Sequence, residues 1–405
     1  MNSSFWDRTM KSMNILYTLT AYPPYIGGAQ LHQHLLAQQL QGRHPIQSAT
    51  FWNHNRTDWL LGTTLKAHGQ PYDYEVDGIP VHRLGLGWGK KLRMAPWLPL
   101  YYPWMAVALP PIAAVIAEPI KALAQKSDLI HNVRIGREGL TYASWQVARQ
   151  RDIPFVFTPL HHPRWVGWRY REYIKLYQQA DAVIALTQAE VKVLTGLGVQ
   201  ESRIHVTGIG PVLAPQAYAQ DFRQTYGITG PMVLFLGQHY PYKGFRQVLE
   251  AAPLVWAQQP ETQFVFIGPA VKASERAFAE MADLRIHRLG AVDLQTKTNA
   301  LAACDLLCVP SSQESFGGVY TEAWSFGKPV MGCHIPAVAA VVSDGQDGYL
   351  VEQSPPQIAD RILDLLNHPT RAKQLGQAGY QKVQERYSWP TLAQKTEAVY
   401  RGLTR

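Results

Sequence analysis

Leu306-Leu-Cys-Val-Pro-Ser-Ser-Gln-Glu-Ser-Phe-Gly-Gly-Val-Tyr-Thr-Glu-Ala323 is the stretch on which the fold turns. Leu306–Val309 is a short apolar run of the length of a fully buried strand, Pro310 and two serines end it, and Gly317-Gly318 stands where a helix should start. Strand, glycine turn and helix form the unit of a parallel, doubly wound sheet, and such sheets bind ligands at the carboxyl ends of their strands. Two carboxylates, Glu314 and Glu322, flank the turn. Glycines let backbone approach a ligand, and the N–H groups of a helix start favour an anion such as a diphosphate. Placed there, the two glutamates can accept hydrogen bonds from sugar hydroxyls on either side of a phosphate. Away from a strand end, the same pair reads as solvated surface.

Working outward, a series of short apolar runs surrounds this unit: Pro231–Gly237, Phe264–Gly268, Ile286–Gly290, Leu306–Val309, Pro329–Gly332 and Gly348–Val351. An earlier series opens with Met13–Thr20 as a strand, Ala21–Gly28 as a loop and Ala29–Leu40 as a helix. It continues with Ile79–Leu84, Leu129–His131, Phe155–Thr158 and Ala182–Leu186. Gly208-Ile-Gly-Pro-Val-Leu-Ala-Pro215 has the Gly and Pro content of a linker between the two series. The expected fold class is α/β, with two Rossmann-like domains facing across a cleft. Residues 1–210 form the first domain, 211–388 the second, and 389–405 a C-terminal helix returning to the first. The chain's 405 residues suit two domains of roughly 200 residues each.

Three cysteines, Cys304, Cys308 and Cys333, offer neither a CxxC pair nor a zinc ligand set, and read as buried small hydrophobes. No apolar h-region of a signal peptide follows the charged residues Asp7, Arg8 and Lys11, so no secretory signal is expected and the expected location is cytoplasmic.

Charge is uneven. Lys plus Arg against Asp plus Glu gives 21 − 13 = +8 for residues 1–210 and 17 − 17 = 0 for residues 211–405. A basic half fits nucleic acid, an anionic membrane surface or an anionic substrate, and no nucleic-acid-binding motif is present. Lys90-Lys91-Leu92-Arg93 precedes an uncharged stretch, Met94 to Ala117, that carries Trp97, Tyr101, Tyr102 and Trp104. Cations beside amphipathic rings suit peripheral docking on the inner membrane face; the alternative is a core helix and an acceptor-lining loop. Pro96, Pro99, Pro103, Pro110 and Pro111 argue against a membrane-spanning helix.

Glu314-Ser-Phe-Gly-Gly-Val-Tyr-Thr-Glu322 resembles the E-x7-E motif of the family 4 retaining glycosyltransferases, which have the GT-B fold. Ala323 and Gly327-Lys-Pro-Val330 match its continuation, Leu236-Gly237 with Lys243-Gly244 its donor-domain opening, and Gly27-Gly28 its N-terminal loop. Asp181-Ala-Val-Ile-Ala-Leu-Thr187 matches its strand before the linker. The resemblance implies that Glu314 touches the donor sugar and Glu322 the ribose diol, while the backbone at Ser315, Phe316, Gly317 and Gly318 meets the diphosphate. It also implies that Lys243 neutralises the leaving phosphate, with Gly27 and Gly28 nearby, and that Ala291 and Val292 lie by the nucleobase. The reaction implied is retaining transfer of a hexosyl-type sugar from a nucleoside diphosphate sugar to an acceptor hydroxyl, a lipid-linked or polysaccharide precursor being one class. No cofactor is expected, and no Asp-x-Asp metal pair is present.

Two positions depart from the family pattern. Gln238 stands where a second cation is usual; an amide donates hydrogen bonds without charge, and His239 or Arg246 are the candidate substitutes, although Arg246 reads better as part of a solvated helix face. The family's catalytic histidine position falls on Leu160, followed by His161 and His162, either of which can face the reacting sugar. The rival readings are a sugar-nucleotide epimerase or phosphorylase on the same fold and a non-catalytic nucleotide-sugar-binding protein.

Overall fold

The computed structural model describes residues 11–24, 28–51, 60–133, 138–161 and 167–404. The chain divides into two compact units. One runs to Leu186 and includes Glu190–Thr207 and Leu392–Arg405; the other holds Thr187–Ala189 and Gly208–Thr391.

The first unit is built on an eight-stranded sheet of β1 (Ile15–Thr18), β2 (Ile46–Thr50), β3 (Tyr72–Val76), β4 (Ile79–Arg83), β5 (Leu129–Val133), β6 (Phe155–Thr158), β7 (Ala182–Ala185) and β8 (Ile204–Val206). Its order is β3-β4-β2-β1-β5-β6-β7-β8. All neighbours are parallel except β3 and β4, which pair antiparallel and correct the expectation of a wholly parallel sheet. The cause is local. Asp77 and Gly78 have φ of 50° and 80°, the left-handed pair that a two-residue hairpin turn needs.

The uncharged stretch after Lys90-Lys91-Leu92-Arg93 ends in helix Met105–Leu123, which carries Pro110, Pro111 and Pro119 inside it. Each proline removes an N–H from the ladder, yet Ala108, Leu109, Ile112, Ala113, Ile116 and Ile120 are fully buried. Full burial of one large aliphatic side chain contributes roughly 1.5–3 kcal/mol, which offsets the broken ladder. Among the described residues this is the one helix long and apolar enough to cross a membrane, and its apolar face lies in the core of the first unit. Tyr101 is fully buried, and Trp97 and Tyr102 pack on the same core; of the four rings in the stretch only Trp104 stands clear, at 62% exposed. The three cations have protein partners. Arg93 reaches Glu118 at 2.6 Å, Lys90 approaches the same carboxylate at 3.6 Å, and Lys91 Nζ donates to the Ala67 carbonyl at 2.6 Å.

Helix Trp389–Leu403 closes the chain, and from Leu392 onward it belongs to the first unit. Polar contacts hold it there. Tyr400 Oη lies 2.6 Å from His131 Nδ1 and 3.3 Å from Tyr17 Oη, and Glu397 pairs with Arg43 at 2.6 Å and His44 at 3.2 Å. Burial drives the His131 ring neutral, pushing its pKa down to about 3.

The second unit is a six-stranded parallel sheet of β9 (Met232–Leu236), β10 (Gln263–Ile267), β11 (Ile286–Gly290), β12 (Leu306–Val309), β13 (Val330–Cys333) and β14 (Gly348–Val351). The order β11-β10-β9-β12-β13-β14 places a topological switch between β9 and β12. β9 and β12 are buried along their whole length, as their continuous apolar runs require in a sheet covered on both faces. The three cysteines are free and buried.

Candidate functional site

The segments that leave β9 and β12 meet at the switch. After β9 come Gly237 and exposed Gln238, then the turn Pro241–Lys243 and Gly244, which opens helix Phe245–Trp256. Gly244 has φ 79°, and a Cβ there would sit 2.6 Å from the Pro310 carbonyl oxygen, so only glycine lets this turn lie against the end of β12. Two further bonds fasten it: Ser312 N–H donates to the Tyr242 carbonyl at 2.8 Å, and Gln353 Nε2 donates to both Tyr242 and Pro310 carbonyls at 2.9 and 2.7 Å. The result is an ion pair between Lys243 and Glu314, with both side chains mostly buried.

After β12, Phe316 is buried with its ring edge-on to Tyr387, and Gly317 takes φ 84° to reverse the chain into helix Gly318–Trp324. A Cβ on Gly317 would lie 2.3 Å from the Tyr320 ring, whose hydroxyl donates to the Val309 carbonyl at 2.8 Å. Thus the corner is pinned by Tyr320 back to its own strand. Ser315 is half-buried on this corner. Glu322 lies on the helix, 6% exposed, and burial raises its carboxyl pKa against the opposing pull of Lys297. Lys297 Nζ donates to Glu322 Oε1 at 2.8 Å and to the Val212 carbonyl at 2.7 Å. Sequence reasoning missed Lys297 and Gln353. A lysine on a helix of ordinary polarity reads as solvated, and nothing in the order of residues shows that it folds inward.

Past β11, Ala291 is exposed and Val292 half-buried, just before Asp293, whose Oδ1 caps helix Leu294–Ala303 through Thr296 N–H at 2.7 Å. Neither candidate substitute for the missing cation at Gln238 serves. His239 is fully buried against Phe235, Phe245 and Phe278, and burial pushes its pKa down to about 4, so the ring is neutral. Arg246 is paired with Glu250 at 2.9 Å on an exposed helix face.

In the first unit, Gly28 is the exposed first residue of helix Gly28–Leu40; Gly27 and His162 lie outside the described residues. His161 is 5% exposed, with Nδ1 3.1 Å from Tyr177 Oη and its ring edge-on to that tyrosine. Its backbone N–H donates to Glu190 Oε1 at 3.0 Å, and Leu186 N–H donates to Oε2 at 2.7 Å. Burial raises the Glu190 carboxyl to about 7. The ring of His161 is therefore committed to the interior of its unit.

Two family descriptions match successive stretches of this chain. That of a glycosyl transferase 4-like domain covers residues 27–210, and that of glycosyl transferases group 1 covers residues 219–382. The chain belongs to the family 4 glycosyltransferases of the GT-B fold. Among the proteins similar to this chain is the phosphatidyl-myo-inositol mannosyltransferase of Mycobacterium tuberculosis, 32% identical over 182 residues, which are 43% of this chain and 48% of that protein. The D-inositol 3-phosphate glycosyltransferase of Kribbella flavida is 29% identical over 253 residues, 57% of this chain and 58% of its own. The chain thus spans about half the length of the curated relatives it matches. In fold it is similar to Anabaena HepE, solved in complex with UDP-glucose, with a TM-score of 0.73 and 19% identity over 96% of this chain and 100% of that one.

Proposed function

We propose that this glycosyltransferase moves a hexosyl-type sugar, with retention, from a nucleoside diphosphate sugar to an acceptor hydroxyl. The observation that carries the reading is the Lys243–Glu314 pair at the switch between β9 and β12, beside the Gly317-Gly318 corner. Cleaving a sugar from a nucleoside diphosphate develops negative charge on the departing phosphate, which preorganised donors must stabilise. Lys243 supplies a positive charge, and the backbone at Ser315, Phe316, Gly317 and Gly318 supplies N–H groups. Glu314 accepts hydrogen bonds from the sugar, Glu322 from the ribose, and the base lies by Ala291 and Val292. Gln238 contributes hydrogen bonds without charge.

The second unit is assigned the donor and the first unit the acceptor, with Gly27, Gly28 and His162 as the first unit's contribution; His161 is set aside because its ring packs on Tyr177. In the transfer the sugar C1–phosphate oxygen bond breaks and a C1–acceptor oxygen bond forms on the same face, the acceptor proton passing to the departing phosphate. Lys243 and the backbone donors supply the charge stabilisation that a metal ion gives in other sites, so the reaction is assigned as metal-independent.

The relatives' names, phosphatidyl-myo-inositol and inositol 3-phosphate among them, support an anionic or lipid-linked acceptor, which fits the +8 carried by the first half. A cytoplasmic protein docking at the inner membrane face follows from that class. Support comes from Trp88 and Leu92, 79% and 67% exposed on the stretch that carries Lys90, Lys91 and Arg93, and from Trp104 and Val107, 62% and 59% exposed further along the chain.

The test is proton NMR of donor turnover without acceptor, in excess EDTA, over uridine and guanosine diphosphate sugars. Slow release of free sugar with the donor's anomeric configuration supports the reading. Binding without turnover in any mixture points to a binding protein, and activity lost to EDTA and restored by magnesium overturns metal independence.

A further inference from the structure

Glu322 is a buried carboxylate whose two oxygens are treated differently. Oε1 receives the ammonium of Lys297 at 2.8 Å, while Oε2 is buried with no hydrogen-bond partner among the described residues. A buried acceptor left unsatisfied is costly, so an oxygen kept in that state points to a donor that arrives with a ligand. Lys297 is itself mostly buried and is spent on two oxygens, Glu322 Oε1 and the Val212 carbonyl.

Val212 lies in the Gly208–Pro215 segment, and that segment is fastened repeatedly to the same neighbourhood. Ala214 N–H donates to Thr298 Oγ1 at 2.9 Å, one residue along the helix from Lys297, and Trp389 Nε1 donates to the Pro211 carbonyl at 2.9 Å. Gly210 packs so closely on Trp389 that a Cβ there would lie 2.8 Å from the indole. Lys297 therefore ties a fixed backbone segment to a buried carboxylate that the Val212 N–H also faces, and the two contacts hold them in one geometry.

We propose that Lys297 is a positioning residue of the donor site: it fixes the Glu322 carboxylate against the Gly208–Pro215 segment so that Oε2 alone is presented to the ribose hydroxyls of a nucleoside diphosphate. The proposal rests on the assignment of Glu322 to the ribose. It gives Lys297 no contact with the ligand, so its removal acts through Glu322.

The test is calorimetric titration of wild type, Lys297→Met, Lys297→Arg, Glu322→Ala and the Lys297→Met/Glu322→Ala double variant with UDP, GDP and their 2′,3′-dideoxy analogues. Wild type should prefer the ribonucleotide by about tenfold, the worth of one or two hydrogen bonds. Lys297→Met should lose most of that preference while affinity for the dideoxy analogue stays within about twofold, Lys297→Arg should recover it, and the double variant should match Glu322→Ala. Matching melting temperatures for the Met and Arg variants exclude misfolding as the cause. Full ribose preference in Lys297→Met, with the preference lost in Glu322→Ala, overturns the role of Lys297 alone. Full preference in Glu322→Ala overturns the assignment of Glu322, and the proposal with it.

Discussion

Lys243 and Glu314 stand 71 residues apart in the chain and form an ion pair at the carboxyl ends of β9 and β12. On the proposed assignment of Glu314 to the sugar and Lys243 to the diphosphate, the pair is a preorganised site in which the diphosphate competes with Glu314 for the ammonium. Lys243→Met removes the only charge assigned to the leaving phosphate. Steady-state donor turnover should fall by about 10²–10³ in kcat/KM, with the far-ultraviolet circular dichroism of wild type. Undiminished turnover would remove Lys243 from the mechanism.

Gly244→Ala tests the approach that creates the pair. Alanine would sit in a left-handed conformation and meet the Pro310 carbonyl at 2.6 Å. The conformation alone costs roughly 1–2 kcal/mol, and relieving the contact moves Lys243. Urea unfolding should show a loss of at least that size, and donor affinity should fall with it. A variant of wild-type stability and affinity contradicts the close approach.

The two units were legible from the sequence to different degrees. The strand–glycine–helix passage at Leu306–Ala323 carries its own signal, because a buried parallel strand is continuously apolar and its turn needs glycine at Gly317. The β3–β4 hairpin was missed even though Asp77-Gly78 is a strong turn pair, since β3 is largely exposed and lacks an apolar run. The helix Met105–Leu123 defied its three prolines because packing on the core outweighs lost ladder bonds. Within the site, Glu314 and Lys243 are visible as a spaced pattern. Lys297 is not: its role depends on a carbonyl at Val212 and a carboxylate at Glu322 that only folding brings together.

His239 offers a stability prediction with a definite sign. Both ring nitrogens are buried without a hydrogen-bond partner among the described residues, a cost of roughly 1–3 kcal/mol. Burial holds the folded pKa at about 4, below the value of 6.5 of a free histidine. An unfolded chain therefore binds this proton first, so stability present above pH 6.5 is lost as pH falls toward 4. His239→Leu should unfold at higher urea at pH 7 and lose less stability than wild type between pH 7 and pH 5. The raised carboxyl of Glu190 acts in the opposite sense, but it is common to both proteins. Parallel pH profiles would show that the folded ring takes up its proton as readily as the unfolded one, which contradicts a pKa held down by burial.

Lys90, Lys91 and Arg93 separate docking from a purely soluble acceptor. Two of them share Glu118 and the third holds the Ala67 carbonyl, so their combined pull on an anionic surface is less than three free cations at about 1 kcal/mol each. Replacing all three with Gln should weaken sedimentation with phosphatidylserine vesicles at low salt by about tenfold, leaving donor hydrolysis unchanged. Wild-type protein that ignores such vesicles removes the docking surface.

The assignment of diphosphate and ribose to separate side chains is tested most directly by titrating wild type, Lys243→Ala and Glu322→Ala with uridine, guanosine and their diphosphates. Lys243→Ala should bind the nucleoside as wild type does and the diphosphate at least about tenfold more weakly, the cost of one charge-assisted hydrogen bond. Glu322→Ala should bind both more weakly. Equal losses with both ligands in both variants, or wild-type protein that binds no nucleoside diphosphate, would contradict a donor site at the switch between β9 and β12.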